Sequence, residues 1–362
     1  MRRIVALVPS APGTSPGQRV RIETWAPHLQ SCGWTVELIP FEDEALHSVL
    51  YETGRYGAKA GRLAACYLRQ LGRVVGLTPA DVLFVYREAA IVGPALLERL
   101  ARRHSARLIY DLDDPTFLPY RSPTNGWLST LKFPGKTRSL CRMADRVIAV
   151  NHLIGGYAGR FNPAVTVVPN FVDVEVWKPA GRAAQGAGSG PVRLVWIGGH
   201  TTTDNLQTIL PALRRLQAER AVELRVVAGP PVDLAGVEVD WRRWSAASEV
   251  ADLAECDIGL VPLTDLAWNN WKFFYKTIQY MAVGLPVVAR RMGSNAEVVS
   301  DGVDGFLVED QEEWFQRLRT LVDDVELRRR MGAAARAAVV ERYSSRTQLP
   351  RVAAAFTSST TP

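Results

Sequence analysis

Nowhere do the 362 residues of this chain stay apolar for the roughly 18 positions that a membrane-spanning helix requires. Any membrane contact is therefore expected to be peripheral. Cysteine is scarce too. Cys32, Cys66, Cys141 and Cys256 lie far apart and form no C-x-x-C pair, which argues against a zinc site or a disulfide framework. Reduced core thiols fit a cytoplasmic chain. The five histidines, His28, His47, His104, His152 and His200, show no metal-ligand spacing. No G-x-G-x-x-G follows any apolar run, which removes support for a dinucleotide oxidoreductase. Pro134-Gly135-Lys136-Thr137 copies the end of a P-loop, but Thr130 stands where the first glycine must be. No block of five like charges occurs, so a nucleic-acid arm is not expected. The N-terminal apolar run, Ile4 to Val8, is too short for a signal-peptide core.

What remains is an ordinary globular composition. Hydrophobic residues make up 47% and charged residues 22%, and the length suits two domains, each able to bury a core. The net charge of +6 is a mild excess, consistent with a phosphate-bearing ligand, with anionic lipid, or with a plain mixed surface.

Short β-branched runs alternate with longer amphipathic stretches. Strands are expected near Ile4–Val8, Val36–Ile39, Val82–Tyr86, Leu108–Asp111, Val147–Val150 and Val165–Val168, with helices such as Val20–Cys32 and Pro94–His104 between them. Continuous apolar strands alternating with helices predict a parallel sheet covered on both faces. Ala180 to Pro191 is low in complexity and reads as a flexible linker. The pattern then restarts, with strands near Leu194–Ile197, Leu224–Ala228, Ile258–Val261 and Pro286–Ala289. Helices are expected at Leu206–Arg220, Ser248–Ala254, Lys276–Val283 and Glu312–Val322, and Met331–Val340 looks helical. The fold class is α/β, with two Rossmann-like domains facing across a cleft: residues 1–179, a linker at 180–191, residues 192–340, and a tail at 341–362 returning to the first domain. Ligands of open α/β sheets bind beyond the carboxyl ends of the strands.

Two stretches of the second half could hold an anion. Trp196-Ile197-Gly198-Gly199-His200-Thr201 ends a strand in two glycines and a hydroxyl-rich turn before a helix. Such a turn either cradles a phosphate or is capped by Thr203 or Asp204. Trp268 to Val288 carries an aromatic loop, Lys272 and Lys276 four residues apart, then a helix stopped by Gly284 and Pro286. Its lysines are either anion ligands or surface charges. Gln279 lies within one turn of Lys276.

This block resembles the donor-site signature of GT-B glycosyltransferases close to family 4, K-x-x-E-Y-M-A-x-G-x-P-V-V. The matching residues are Lys276, Gln279-Tyr280-Met281-Ala282, Gly284 and Pro286-Val287-Val288. Gln279 stands where many relatives have the glutamate that bonds the donor ribose, and Trp271 replaces the earlier acidic residue of the family's E-x7-E pattern. The Arg and Lys pair usual after the Gly-Gly turn is missing; Lys272 and Lys276 take over its charge in this reading. Val168-Pro169-Asn170-Phe171-Val172-Asp173, ending in Trp177-Lys178-Pro179, is similar to the family's inter-domain motif. Gly293-Ser294-Asn295 resembles its last donor loop, with Asp301 to Val308 as the hairpin-like turn that follows. The resemblance implies a GT-B architecture and transfer of a sugar from a nucleoside diphosphate sugar to a hydroxyl-bearing acceptor, a small molecule, a glycan or a lipid-linked one. It implies retention of configuration and no bound metal or other cofactor. Donor contacts would come from Gly198, Gly199, Thr201, Lys272, Lys276, Gln279, Gly293, Ser294 and Asn295. A sugar-nucleotide epimerase and a non-catalytic sugar-nucleotide-binding subunit are the alternatives.

The first half is less specific. Arg19 and Arg21 open the first helix, and Arg87-Glu88 and His152 follow strands, all at expected cleft positions. Asp111, Asp113 and Asp114 form the densest acidic cluster. Three readings stay open: a metal site, an acceptor or base site through Asp113 or Asp114, or a helix cap with Pro115 at the first position. Acceptor contact or capping is favoured, so Asp113, Asp114 and Lys276 are the catalytic candidates. Phe117, Tyr120 and Trp127 either stack on a sugar or lipid or belong to the core.

Overall fold

In a computed structural model, residues 1–119, 125–182, 190–199, 202–231 and 233–357 are described. The chain divides into two compact units, Met1–Asn170 with Leu349–Pro362, and Phe171–Gln348. The division falls inside the Val168-Pro169-Asn170-Phe171 motif; residues 183–189 of the low-complexity stretch lie outside the described ones.

The first unit is built on β1 (Arg2–Val8), β2 (Trp34–Pro40), β3 (Ala80–Tyr86), β4 (Ser105–Leu112), β5 (Arg146–Ala149) and β6 (Val165–Val167), in the order β2-β1-β3-β4-β5-β6. All of its pairings are parallel. Five consecutive buried residues end β1, and five end β3, as expected of strands covered on both faces. Trp25 meets Phe84 edge-on, and Phe84 stacks on Phe356 of the helix Ser345–Thr357. The expected helix Val20–Cys32 is broken: the backbone kinks at Arg21, inside the turn Arg19–Glu23 that leads into the helix Thr24–Ser31.

The second unit repeats the plan with β7 (Val192–Ile197), β8 (Val222–Ala228), β9 (Val239–Arg243), β10 (Ile258–Val261), β11 (Val287–Arg290) and β12 (Gly305–Val308), ordered β12-β11-β10-β7-β8-β9 and again parallel throughout. Strand order reverses between β1 and β3 in the first unit and between β7 and β10 in the second. These are the switch points at which open α/β sheets take ligands. Asp301 to Val308 is expected as a hairpin-like turn; its last four residues, Gly305–Val308, instead form the edge strand β12 beside β11. The fold is α/β with two Rossmann-like units. No helix among the described residues is long and apolar enough to cross a membrane.

Candidate functional site

At the switch point of the second unit, β7 ends in Trp196-Ile197-Gly198-Gly199. A side chain at Gly198 would lie 2.5 Å from the Trp196 ring, so only glycine lets the turn close over that indole. Thr201, the third expected donor contact of this turn, lies outside the described residues. The helix Tyr275–Ala282 is locked to the sheet by Tyr280. Its ring lies where a side chain on Gly259 would be, and its hydroxyl accepts a hydrogen bond from the Ile197 backbone N–H at 2.8 Å.

That docking places Lys276, on the first turn, with Nζ 4.4 Å from the centre of the buried Trp196 ring. Burial, with help from the charge on Lys272, pushes the Lys276 ammonium down to about 7. Among the described residues no carboxylate pairs with Lys272 or Lys276. The cation has a π-face beneath it and no counter-ion. The helix starts at Phe274, whose side chain cannot cap the free N–H groups, so its positive end adds to the same field. Gln279 is buried one turn further along, 6% exposed.

The loop before this helix is held from behind. Gly293 has φ +53°, and a Cβ there would stand 2.4 Å from the Asn269 carbonyl oxygen. Ser294 Oγ accepts from the Phe274 N–H at 2.9 Å, and its own N–H donates to the Lys272 carbonyl. Asn295 Oδ1 accepts from Thr277 Oγ1, while its Nδ2 donates to the Arg290 carbonyl. The side chains of Ser294 and Asn295, both fully buried, thus brace the lysine-bearing segment. Sequence reading had missed Trp196, whose contact with Lys276 spans 80 positions, and Asn205, whose Oδ1 accepts from Thr264 N–H and so ties the turn after β7 to the loop after β10.

In the first unit the acidic cluster is distributed between two arginines. Arg21 is fully buried and forms a two-pronged ion pair with the equally buried Asp111, Nε to Oδ2 at 3.0 Å, and donates to the Val168 carbonyl. It also lies over the Trp25 ring. Arg21 is therefore a core residue and not a clamp for a ligand, which corrects the expectation made for it. Burial outweighs the arginine and pushes the Asp111 carboxyl up to about 6.

Arg87 follows β3 with φ +57°, a conformation that a non-glycine residue keeps only when its surroundings demand it. Its guanidinium grips Asp113 through Nε (2.5 Å) and Nη2 (2.8 Å), and pairs with Asp114. Tyr86 Oη donates to Asp113 Oδ2 at 2.7 Å. Burial acts to raise the Asp113 carboxyl, but Arg87 prevails and holds it below the usual range. A carboxylate so engaged is a poor general base, so Asp113 acts as the anchor of Arg87. Gly17, after β1, packs directly on this group: a Cβ there would lie 2.6 Å from Tyr86 Oη and 2.9 Å from Arg87 Nη2.

The other candidates scatter. Glu88 pairs with Lys136 at 3.1 Å and not with Arg87. Lys136, part of the false P-loop, also donates to the Ala90 carbonyl, pinning the turn after β3. Arg19 is half-buried, and His152 is exposed at the start of the helix His152–Gly159, which Asn151 caps. Among the described residues no three His, Cys, Asp or Glu side chains are grouped to hold a metal ion. Phe117 stacks on Tyr157, Trp127 is exposed beside Tyr56, and Tyr120 lies outside the described residues.

A lysine pair without a carboxylate partner among the described residues, at a helix N-terminus on a Rossmann-like switch point, is an arrangement whose charge suits an anionic ligand. Among known proteins, residues 191–324 match the family model described as Glycosyl transferases group 1, and the fold of the chain is similar to that of solved GT-B glycosyltransferases. One curated relative is the D-inositol 3-phosphate glycosyltransferase of Stackebrandtia nassauensis, 32% identical over 201 residues. The match covers 47% of this chain and 44% of that relative, less than half its length. Among solved structures, sucrose-phosphate synthase from Thermosynechococcus elongatus superposes with a TM-score of 0.66 at 15% identity, covering 97% of each chain. HepE from Anabaena, solved in complex with UDP-glucose, gives 0.68 at 18% identity and covers 98% of each chain.

Proposed function

We propose that this chain is a glycosyltransferase that moves a sugar from a nucleoside diphosphate sugar to a hydroxyl-bearing acceptor, with retention of configuration. The observation that carries this reading is the position of Lys276 and Lys272, cations without a counter-ion at the helix N-terminus that follows β10. The bond from the anomeric carbon to the diphosphate breaks, and negative charge develops on the leaving diphosphate. Ammonium groups and helix amides already aimed at that charge lower the barrier. For retention, the leaving phosphate oxygen takes the proton of the incoming hydroxyl on the same face of the sugar. Gln279 bonds the ribose in place of the glutamate of family 4 relatives, and Gly198 and Gly199 let the backbone approach the donor. The UDP-glucose complex of HepE and the name of the inositol-phosphate relative favour a nucleotide-sugar donor. In this reading residues 192–340 bind the donor and residues 1–179 the acceptor, with Arg87 presented by Asp113 and Asp114 as a group for an acceptor oxygen. The enzyme works in the cytoplasm and needs no metal; a lipid-linked acceptor would bring it to a membrane face only peripherally.

Trp271 and Gln279, standing at the family's two acidic positions, favour a second reading: a subunit that binds the nucleotide sugar without turning it over. Purified protein decides between them. A thermal-shift panel of UDP, GDP, ADP and TDP sugars identifies the donor, and release of the nucleoside diphosphate from the stabilising sugar nucleotide reports catalysis. Binding without release over long incubation with acceptors of each class would leave the second reading standing; no binding at all refutes both.

A further inference from the structure

The second unit has a cavity of about 420 Å³ at the end of its sheet opposite the lysine site. Asp257 and Pro286, which line it, stand immediately before β10 and β11, so it opens at the amino ends of strands whose carboxyl ends lead to Lys276. Four arginines line it, Arg182, Arg328, Arg329 and Arg336, against a single carboxylate, Asp257. The last three come from one helix, Val325–Arg342, and Arg329, Ala333 and Arg336 share its face by their spacing. That helix sits tight on the turn before β11: a Cβ on Gly332 would lie 2.1 Å from the Gly284 carbonyl oxygen.

The arginine charge is only partly balanced: Arg329 pairs with the exposed Glu326 of its own helix at 3.1 Å. Arg182 takes Asp257 at 2.9 Å, yet its buried Nε has no hydrogen-bond partner. Arg328, only 9% exposed, donates Nη1 to the carbonyls of Leu321 and Val322. Arg336 donates to the carbonyls of Trp177, Ala282 and Val174. Carbonyl caps of this kind occupy part of each fork of five N–H groups and cancel none of its charge. Among the described residues no carboxylate pairs with either side chain, and burial holds both guanidiniums below their usual range. Guanidinium forks in a small, partly desolvated pocket match a tetrahedral phosphoryl group, and the volume admits no polymer.

We infer that this pocket binds a phosphoryl-bearing small anion at a site separate from the lysine site. The test is thermal unfolding and calorimetry of the full chain with inorganic phosphate and with a hexose 6-phosphate, against chloride at equal ionic strength. Phosphate is expected to stabilise the chain, and to do so equally in Lys276→Met. Ala333→Glu places a carboxylate at an exposed lining position without touching an arginine, and is expected to weaken phosphate binding roughly tenfold or more, while Ala333→Gln binds like the parent. Tighter binding of the hexose phosphate assigns the rest of the pocket to a sugar, and equal binding assigns it to the phosphoryl group alone. No effect beyond chloride, an effect that survives Ala333→Glu, or one lost in Lys276→Met would overturn the inference.

Discussion

Nucleotide-sugar binding should take up a proton at Lys276. Burial and Lys272 push that ammonium down to about 7 in the free protein. A diphosphate ester beside it restores a value near the ordinary 10.5 of lysine. At pH 8 about nine in ten free molecules carry neutral Lys276, so binding takes up close to 0.9 proton. Affinity is then highest below pH 7 and falls as pH rises. From pH 7 to pH 9 the loss is about 50-fold, or roughly 2.3 kcal/mol. The diphosphate of a sugar nucleotide is fully ionised throughout this window and contributes nothing to the slope.

Calorimetry of UDP-glucose, or of whichever donor stabilises the chain, in buffers of different ionisation heat measures the uptake directly. Lys276→Met should bind at least roughly 1.5 kcal/mol more weakly near pH 7, with a flat profile up to pH 9. A flat profile in the parent, or the same slope in Lys276→Met, refutes the assignment of that cation to the donor. The unliganded protein gives an independent check of sign. A lysine held below its unfolded value binds fewer protons folded than unfolded, so its contribution to stability rises with pH between about 7 and 10.5. That rise should be absent in Lys276→Met.

Three further outcomes follow from named contacts. Asp111→Ala leaves Arg21 buried without its partner and should lower stability in urea titrations by about 3–5 kcal/mol, whereas Arg21→Met combined with Asp111→Leu should recover most of the loss. Gly293→Ala must adopt φ +53° with its Cβ 2.4 Å from the Asn269 oxygen; the resulting shift of the lysine loop should cost about 1–3 kcal/mol and show as weaker donor binding in the same calorimetry. Transfer should proceed undiminished in excess EDTA, because guanidiniums already meet all three clustered aspartates; complete loss of turnover, restored by Mg²⁺ or Mn²⁺, would reverse this reading of Asp111 to Asp114.

The parallel strands were legible because burial on both faces leaves an unbroken apolar run, as in Ile4–Val8 and Ile258–Val261. The edge strand β9 lacks that signature. β9 reads VDWRR, is half-exposed, and is held by Asp240 pairing with the buried Arg225 of β8, an arrangement no local pattern announces. The helix Tyr56–Val75 escaped notice for a similar reason. It begins at Arg55 in a left-handed conformation, contains Gly57, Gly61 and Gly72, and carries few large apolar residues for its length.

The site divides along the same line. Gly198, Gly284 and the Tyr280 helix could be read because a close approach or a chain stop restricts the residue type locally. Charges could not, because a charge is defined by what faces it. Arg21 and Asp111 are 90 positions apart and neutralise each other in the core, and Arg87 is shared between Asp113 and Asp114, one cation against two carboxylates. All five looked like ligand-facing groups in the sequence. Lys272 and Lys276 looked no different, yet the fold gives Lys276 an indole face and a helix N-terminus, and among the described residues gives neither lysine a carboxylate. What sets Lys272 and Lys276 apart is the failure of the fold to balance them. In that respect Lys272 and Lys276, with Arg328 and Arg336 of the far pocket, stand apart from Arg21 and Arg87.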